Sequence, residues 1–204
     1  MSFKIAVIGA GSLVFARTLF TDIMSVPEFH DIEVAFTDIN PDNLDKVTRL
    51  CQRDLDSNNI PITIQATTDR REAFRGARYI INCVRIGGLP AFEMDVDIPL
   101  KYGVDQCVGD TLCTGGIMYG QRVIAEMLNF CKDIREVAEP GAIMLNYSNP
   151  NAMAPGHAIN TAGSKPSACA TVRFTARARL PRSWESPGRS WTSPAPASTI
   201  RPGM

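Results

Sequence analysis

The chain has 204 residues, with 21 Lys and Arg balancing 21 Asp and Glu. Zero formal net charge gives no argument for nucleic acid or an anionic membrane as partner, and no apolar run approaches the roughly 20 residues that a membrane span needs. The length suits one domain, or one domain and a fragment of a second. The amino terminus enters a strand-like run without a basic region or cleavage site, so a cytoplasmic location is expected.

Residues 3–9, FKIAVIG, predict a buried parallel strand: short, apolar and β-branched. Gly9-Ala10-Gly11-Ser12 follows and leads into a helical stretch to about Met24. Residues 32–38, IEVAFTD, predict a second strand. Asn40 is placed to cap a helix that opens with Pro41 and runs to about Asp56. Residues 61–67 predict a third strand, and residues 78–84, RYIINCV, a fourth, closed by Gly87-Gly88. A long loop is expected over about 88–115, then a helix from about Met118 to Val137. On that helix Val123, Met127, Phe130 and Ile134 keep three-to-four spacing. Pro140-Gly141 marks a turn, residues 142–147, AIMLNY, a fifth strand, and Asn149-Pro150 the way into a short helical segment through about Ile159. Strand and helix alternate at the pace of βαβ units. The expected class is α/β: a Rossmann-like, doubly wound parallel sheet with helices on both faces.

Six cysteines, at positions 51, 83, 107, 113, 131 and 169, could in principle form three disulfides. Irregular spacing and the absence of a secretion signal favour buried or partly buried thiols instead. The averages also hide a break. After Lys165 there is no lysine, but Arg173, Arg177, Arg179, Arg182, Arg189 and Arg201 appear, with Glu185 the lone acid and both tryptophans, Trp184 and Trp191. Pro181, Pro187, Pro194, Pro196 and Pro202 prevent a long helix there. The preceding residues are acidic on balance and strongly periodic.

Three segments carry candidate chemistry. Gly9 permits a tight turn after the first strand, Gly11 lets a pyrophosphate approach the backbone, and the stretch from Ser12 offers free N–H groups and a positive dipole end. The full G-x-G-x-x-G pattern wants a third small residue where Val14 stands, so a plain structural turn is the competing reading. Asp38, ending the second strand, could accept both ribose hydroxyls of NAD and would repel a 2′-phosphate; the competing reading is a turn acid leading into a helix. The segment Arg85–Gly116 holds Glu93, Asp95, Asp97, Asp105 and Asp110 at the carboxyl edge, where doubly wound sheets bind ligands, or is a solvated loop with scattered acids. The run Asn146-Tyr147-Ser148-Asn149-Pro150 could offer an amide to sugar hydroxyls, or merely turn the chain.

The ordered set G-A-G-S, I-G-G, IP-x-KYG, VGDT, GGIMYG-x-R and NYSNP resembles glycoside hydrolase family 4 over about residues 1–165. The GDT form, Gly109-Asp110-Thr111, is similar to the branch acting on α-galactosides and α-glucosides. This NAD-dependent family is an exception to two-carboxylate glycoside hydrolysis. The resemblance implies NAD and a divalent metal, typically manganese, as cofactors, and a small α-glycoside as substrate. NAD oxidises C3 of the sugar, the C2 proton becomes acidic, the glycosidic oxygen leaves by elimination, and water adds before the hydride returns. It implies NAD against Gly9, Gly11, Ser12 and Asp38, sugar contacts at Asp110, Thr111 and Asn149, and homo-oligomers among full-length relatives. Cys113 departs from the pattern, which usually has glycine there; a side chain would crowd the loop if φ is positive. Other readings are a nicotinamide-dependent hydroxy-acid dehydrogenase, disfavoured by GDT and NYSNP, and a non-catalytic NAD-binding remnant.

The resemblance implies metal ligands in a G-L-C-H run and a later I-N-H run, and neither occurs here. Cys169 is followed by Ala170, and the only histidines, His30 and His157, are read as non-ligands, so no metal ligand or catalytic base is assigned. A one-base slip of the reading frame near Lys165 would account for this. With permitted codons, Pro166–Val172 read in the displaced frame can spell V-G-L-C-H-S, and Ser190–Gly203 can spell L-D-F-T-C-A-G-I-N-H-Q-A-W. The expected organisation is therefore an NAD-binding domain over 1–165 and an irregular, disordered, out-of-frame tail over 166–204, in place of the start of a substrate domain.

Overall fold

A computed structural model describes residues 3–106, 109–151 and 153. Five parallel strands form one sheet in the order β3-β2-β1-β4-β5. They are β1 (Lys4–Ile8), β2 (Glu33–Thr37), β3 (Thr63–Thr67), β4 (Ala77–Asn82) and β5 (Ile143–Asn146). All four pairings are parallel, which requires crossovers, supplied here by helices. These are α1 (Phe15–Met24), α2 (Pro41–Asn58), α3 (Arg70–Phe74), α4 (Gly88–Lys101) and α5 (Cys113–Val137).

Alternation along β1 sorts the core into two layers. Ala6 and Ile8 join Phe74, Ile80, Met127 and Met144 beneath α3 and α5. Ile5 and Val7 join Phe20, Val34, Phe36 and Leu55 beneath α1 and α2. The sheet is thus covered on both faces, which is why its strands read as continuous apolar runs. Phe20 meets Phe36 edge to face at 5.4 Å, both fully buried. Each such ring stabilises the layer by about 1.5–3 kcal/mol over its exposed state.

The strands fall where apolar runs predict them; four are trimmed at one or both ends, and β4 begins one residue earlier than expected and ends two earlier. Asn40 caps α2 as expected: its side chain accepts from the Asn43 N–H at 3.0 Å, with Pro41 following. The left-handed Asn59, with φ of 54°, ends the helix. Elsewhere the structure corrects the sequence reading. The expected loop over 88–115 is a helix over much of its length, α4, and α5 begins at Cys113 instead of Met118. Gly115 and Gly116 are buried in that added turn of α5, where a Cβ would stand 2.7 Å from the carbonyls of Asp95 and Thr111 respectively. Close packing, not helix propensity, retains glycine there. The helix after Ser12 starts later, at Phe15.

The cysteine expectation holds for Cys51 and Cys131, which are buried, and for half-buried Cys83, whereas Cys113 is exposed; Cys51, Cys83 and Cys113 are free thiols. Cys107, Cys169, His157 and the tail over 166–204 lie outside the described residues. Arg70 and Arg71 clamp Asp133 of α5, each at 2.6 Å. Burial works against the Asp133 charge, but those two hydrogen bonds outweigh it and hold its carboxyl below the usual range.

Candidate active site at the carboxyl edge

The chain runs from β1 outward to β2 and β3, then returns to place β4 on the other side of β1. Ligands bind such sheets outside the strand ends at this reversal point. Both groups of predicted site residues lie there.

The first group follows β1. Gly9 has φ of +87°, and its N–H and that of Ala10 both donate to the Thr37 carbonyl, at 3.0 and 3.1 Å. A Cβ on Gly9 would stand 2.9 Å from the Cys83 carbonyl carbon and oxygen. Gly11 donates its N–H to Asp38 Oδ2 at 2.8 Å, while Asp38 Oδ1 accepts from the Asn40 N–H at 2.9 Å. A Cβ on Gly11 would stand 2.8 Å from the Asp38 carboxyl carbon. Gly11 is thus small for a second reason beyond pyrophosphate access: the carboxylate leans against it. Each Asp38 oxygen keeps a further acceptor site for a ribose hydroxyl. Ser12 closes the turn, its N–H donating to the Gly9 carbonyl at 3.3 Å and its own carbonyl accepting from Ala16. Val14, at the third-glycine position, is 79% exposed. No close helix–strand approach occurs at Val14, so a small residue is not required.

This cradle fits a dinucleotide. Its carboxylate is held by backbone donors beside a turn that side chains would fill, at the start of α1. Cys83 lies directly beneath it, its thiol donating to the Ile8 carbonyl at 3.2 Å. Burial, and next the Asp38 charge, push that thiol up to about 12, so it stays protonated.

The second group follows β4 and β5. Asn149 Nδ2 donates to Asp110 Oδ2 at 3.3 Å, and Thr111 Oγ1 donates to Asp110 Oδ1 at 3.0 Å. The three predicted sugar contacts therefore stand together, although Asp110 and Asn149 come from different loops. Beneath them is a buried amide network. Asn82 Nδ2 donates to Asn146 Oδ1 at 2.7 Å, Asn146 Nδ2 to the Ser148 carbonyl at 2.9 Å, and Ser148 Oγ to the Val84 carbonyl at 2.7 Å. Satisfied networks of this kind rigidify what they support.

Sequence reasoning gave no role to Arg85. Its guanidinium lies 4.3 Å from the Phe92 ring centre and 5.1 Å from that of Tyr119, and 3.9 Å from Asp110 Oδ2. It faces the Asp110–Asn149 pair as a cation fixed between two aromatic rings. Burial raises the Tyr119 phenol above its ordinary range, keeping the ring neutral there. Asp95, expected among solvated loop acids, is instead 1% exposed in α4 and is paired with Arg122 of α5. Cys113 has φ of +63°, the backbone state that favours glycine, and its side chain is exposed.

Metal ligation finds no donor set among the described residues, where no three His, Cys, Asp or Glu side chains gather. His30 is engaged elsewhere, its Nε2 lying 2.9 Å from the Met24 carbonyl oxygen. The described residues do not fit a metal, so no chemical step is derived through one. Among them, too, no helix is long and apolar enough to cross a membrane.

The family described as Family 4 glycosyl hydrolase matches residues 4–173. An alpha-galactosidase of Rhizobium meliloti (strain 1021) is 62% identical over 152 residues, which is 74% of this chain and 31% of that protein. A crystal structure of a 6-phospho-alpha-glucosidase from gut microorganisms, in complex with NAD and Mn2+, superposes with a TM-score of 0.71 at 25% identity, covering 78% of this chain and 36% of that one. Malate dehydrogenase from Naegleria fowleri shares the fold, with a TM-score of 0.51 at 19% identity over 79% of this chain and 44% of that one. The chain spans about a third of the length of the glycosidases it matches.

Proposed function

The chain belongs to glycosyl hydrolase family 4, and from that premise we propose that it is the NAD-binding part of a cytoplasmic glycosidase for α-galactosides or α-glucosides. The observation that carries this reading is the Gly9–Ser12 turn, which seats Asp38 against Gly11 on the same strand edge as the Asp110–Asn149 pair. Asp38 holds the adenosine ribose and repels a 2′-phosphate, selecting NAD over NADP. The turn and the start of α1 hold the pyrophosphate. Asp110, Thr111 and Asn149 orient sugar hydroxyls, with Arg85 holding the Asp110 carboxylate toward Asn149. Bound NAD would supply reversible hydride removal at C3 of the sugar, which opens the elimination route. The α-glycoside class is supported by the GDT run, and the galactoside member of that class by the name of the Rhizobium relative. A divalent metal and a homo-oligomeric assembly belong to this proposal for the full-length protein alone.

For the 204-residue chain itself the reading is NAD binding without turnover. Calorimetric titration should give one NAD+ site per chain, with NADP+ bound at least about tenfold more weakly, an amount expected from setting a phosphate against a carboxylate. Manganese-dependent release of nitrophenol from a nitrophenyl α-galactoside by this polypeptide would contradict the second half. Failure to bind NAD+ would overturn the first.

The proposal extends to residues 166–204 as an out-of-frame segment. Two family motifs in one displaced frame, in the right order, support it. Resequencing the gene across the codons for Ser164 to Cys169 should find an extra base that restores Gly-Leu-Cys-His. An unchanged reading would remove the slip.

A further inference from the structure

We propose that Phe15 and Tyr147 together form the wall on which the nicotinamide ring of NAD packs. The inference rests on the NAD-binding reading above and adds a subsite to it. A dinucleotide is two nucleosides joined through a pyrophosphate. With the pyrophosphate on the turn after β1 and the adenosine ribose at Asp38 after β2, the second nucleoside has one direction left. It extends over the other flank of β1, toward the ends of β4 and β5.

Two large aromatic side chains meet at that flank. Phe15 is the first residue of α1, directly after the cradle turn, and Tyr147 is the first residue after β5. Their ring centres are 5.6 Å apart at an interplanar angle of 68°. They come from opposite ends of the chain's described part, yet both remain substantially open, Phe15 at 40% and Tyr147 at 37%. The Tyr147 backbone is fixed to β4 by its N–H, which donates to the Asn82 carbonyl at 2.8 Å. Leu13 and Val14, the two residues between the Ser12 turn and Phe15, are exposed as well. The oxidised nicotinamide is a flat, positively charged aromatic ring, suited to aromatic faces by both stacking and cation–π attraction. From there its other face looks toward the loops that carry Asp110 and Asn149.

The alternative role for the pair is to tie α1 to the loop after β5. ADP-ribose separates the two, because it carries every part of NAD except the nicotinamide. The full chain and its Tyr147→Ala, Phe15→Ala and Tyr147→Phe variants should be titrated calorimetrically with NAD+ and with ADP-ribose. The Ala variants should bind NAD+ about tenfold more weakly while holding ADP-ribose within about twofold, and Tyr147→Phe should match the wild type for both ligands, as loss of one ring contact predicts. ADP-ribose binding also reports that each variant is folded. If both ligands weaken together, or neither weakens, the nicotinamide wall is wrong and the NAD reading stands. If the unsubstituted chain binds neither ligand, both fall.

Discussion

Gly9→Ala is expected to destabilise the protein by about 3 kcal/mol and to weaken NAD+ binding at least about a hundredfold. Two costs add. An alanine at φ of +87° is strained by about 1–2 kcal/mol. Its methyl would also stand 2.9 Å from the Cys83 carbonyl and 3.0 Å from the Val84 nitrogen. Those atoms are main chain at the end of β4, whose Cys83 N–H donates to the Ile8 carbonyl at 3.0 Å, so they cannot swing aside as a side chain would. The seam between β1 and β4 must open, and the turn that aims Gly11 at Asp38 opens with it. Gly141→Ala is the control: φ there is +83°, but a Cβ would meet nothing within 4 Å. Urea unfolding should therefore show only the conformational part of the loss for Gly141→Ala, about 1 kcal/mol. Equal losses for the two variants would mean that the approach of β4 to the turn has no energetic weight.

What could be read from the sequence follows from how local each signal is. Strands covered on both faces announce themselves as short β-branched runs. The start of α2 was plain because Asn40 and Pro41 act within one turn. Asp38 was findable because a strand end fixes its place beside a glycine turn. α4 was hidden for the opposite reason. It opens on Gly87 and Gly88 with positive φ, carries Pro90 and Pro99, and leaves Leu89, Met94 and Ile98 exposed, so no single apolar stripe marks it. α3 is five residues long, too short to show a period. Arg85 was silent because its meaning lies in Phe92, Asp110 and Tyr119, which only tertiary folding gathers around it. The grouping of Asp110 with Asn149 came from a family pattern and not from periodicity; the fold supplies the physical reason, a buried amide network that holds the loop after β5, from which Asn149 donates to Asp110.

Asp95 gives the second large expectation, and it bears on how those loops are held. Its carboxylate accepts from both terminal nitrogens of Arg122, one of them at 2.9 Å, and it is 1% exposed while the arginine side chain is 31% exposed. Its own main-chain carbonyl accepts from Gln106 Nε2 at 2.6 Å, and Gln106 Oε1 accepts from the Gly115 N–H at 3.1 Å. α4 and α5 are thereby joined twice, once directly and once through Gln106 of the segment that leads to Asp110. Asp95→Ala removes the buried acceptor and leaves the guanidinium facing it, with an Nε that is already buried and unpartnered among the described residues. Breaking a fully buried pair costs about 3–5 kcal/mol; partial exposure of Arg122 lets water recover some of this, leaving a loss of about 2–3 kcal/mol. The double variant Asp95→Leu with Arg122→Met replaces the pair by apolar groups and should recover most of the stability, since an apolar replacement of a buried ion pair is often neutral or better. Urea unfolding of the single and double variants reads both effects. A single variant within about 0.5 kcal/mol of the parent would place the pair with surface bridges of little weight. A double variant as unstable as the single one would instead mean that the charged geometry itself, and not the burial of an unpaired charge, holds α4 on α5.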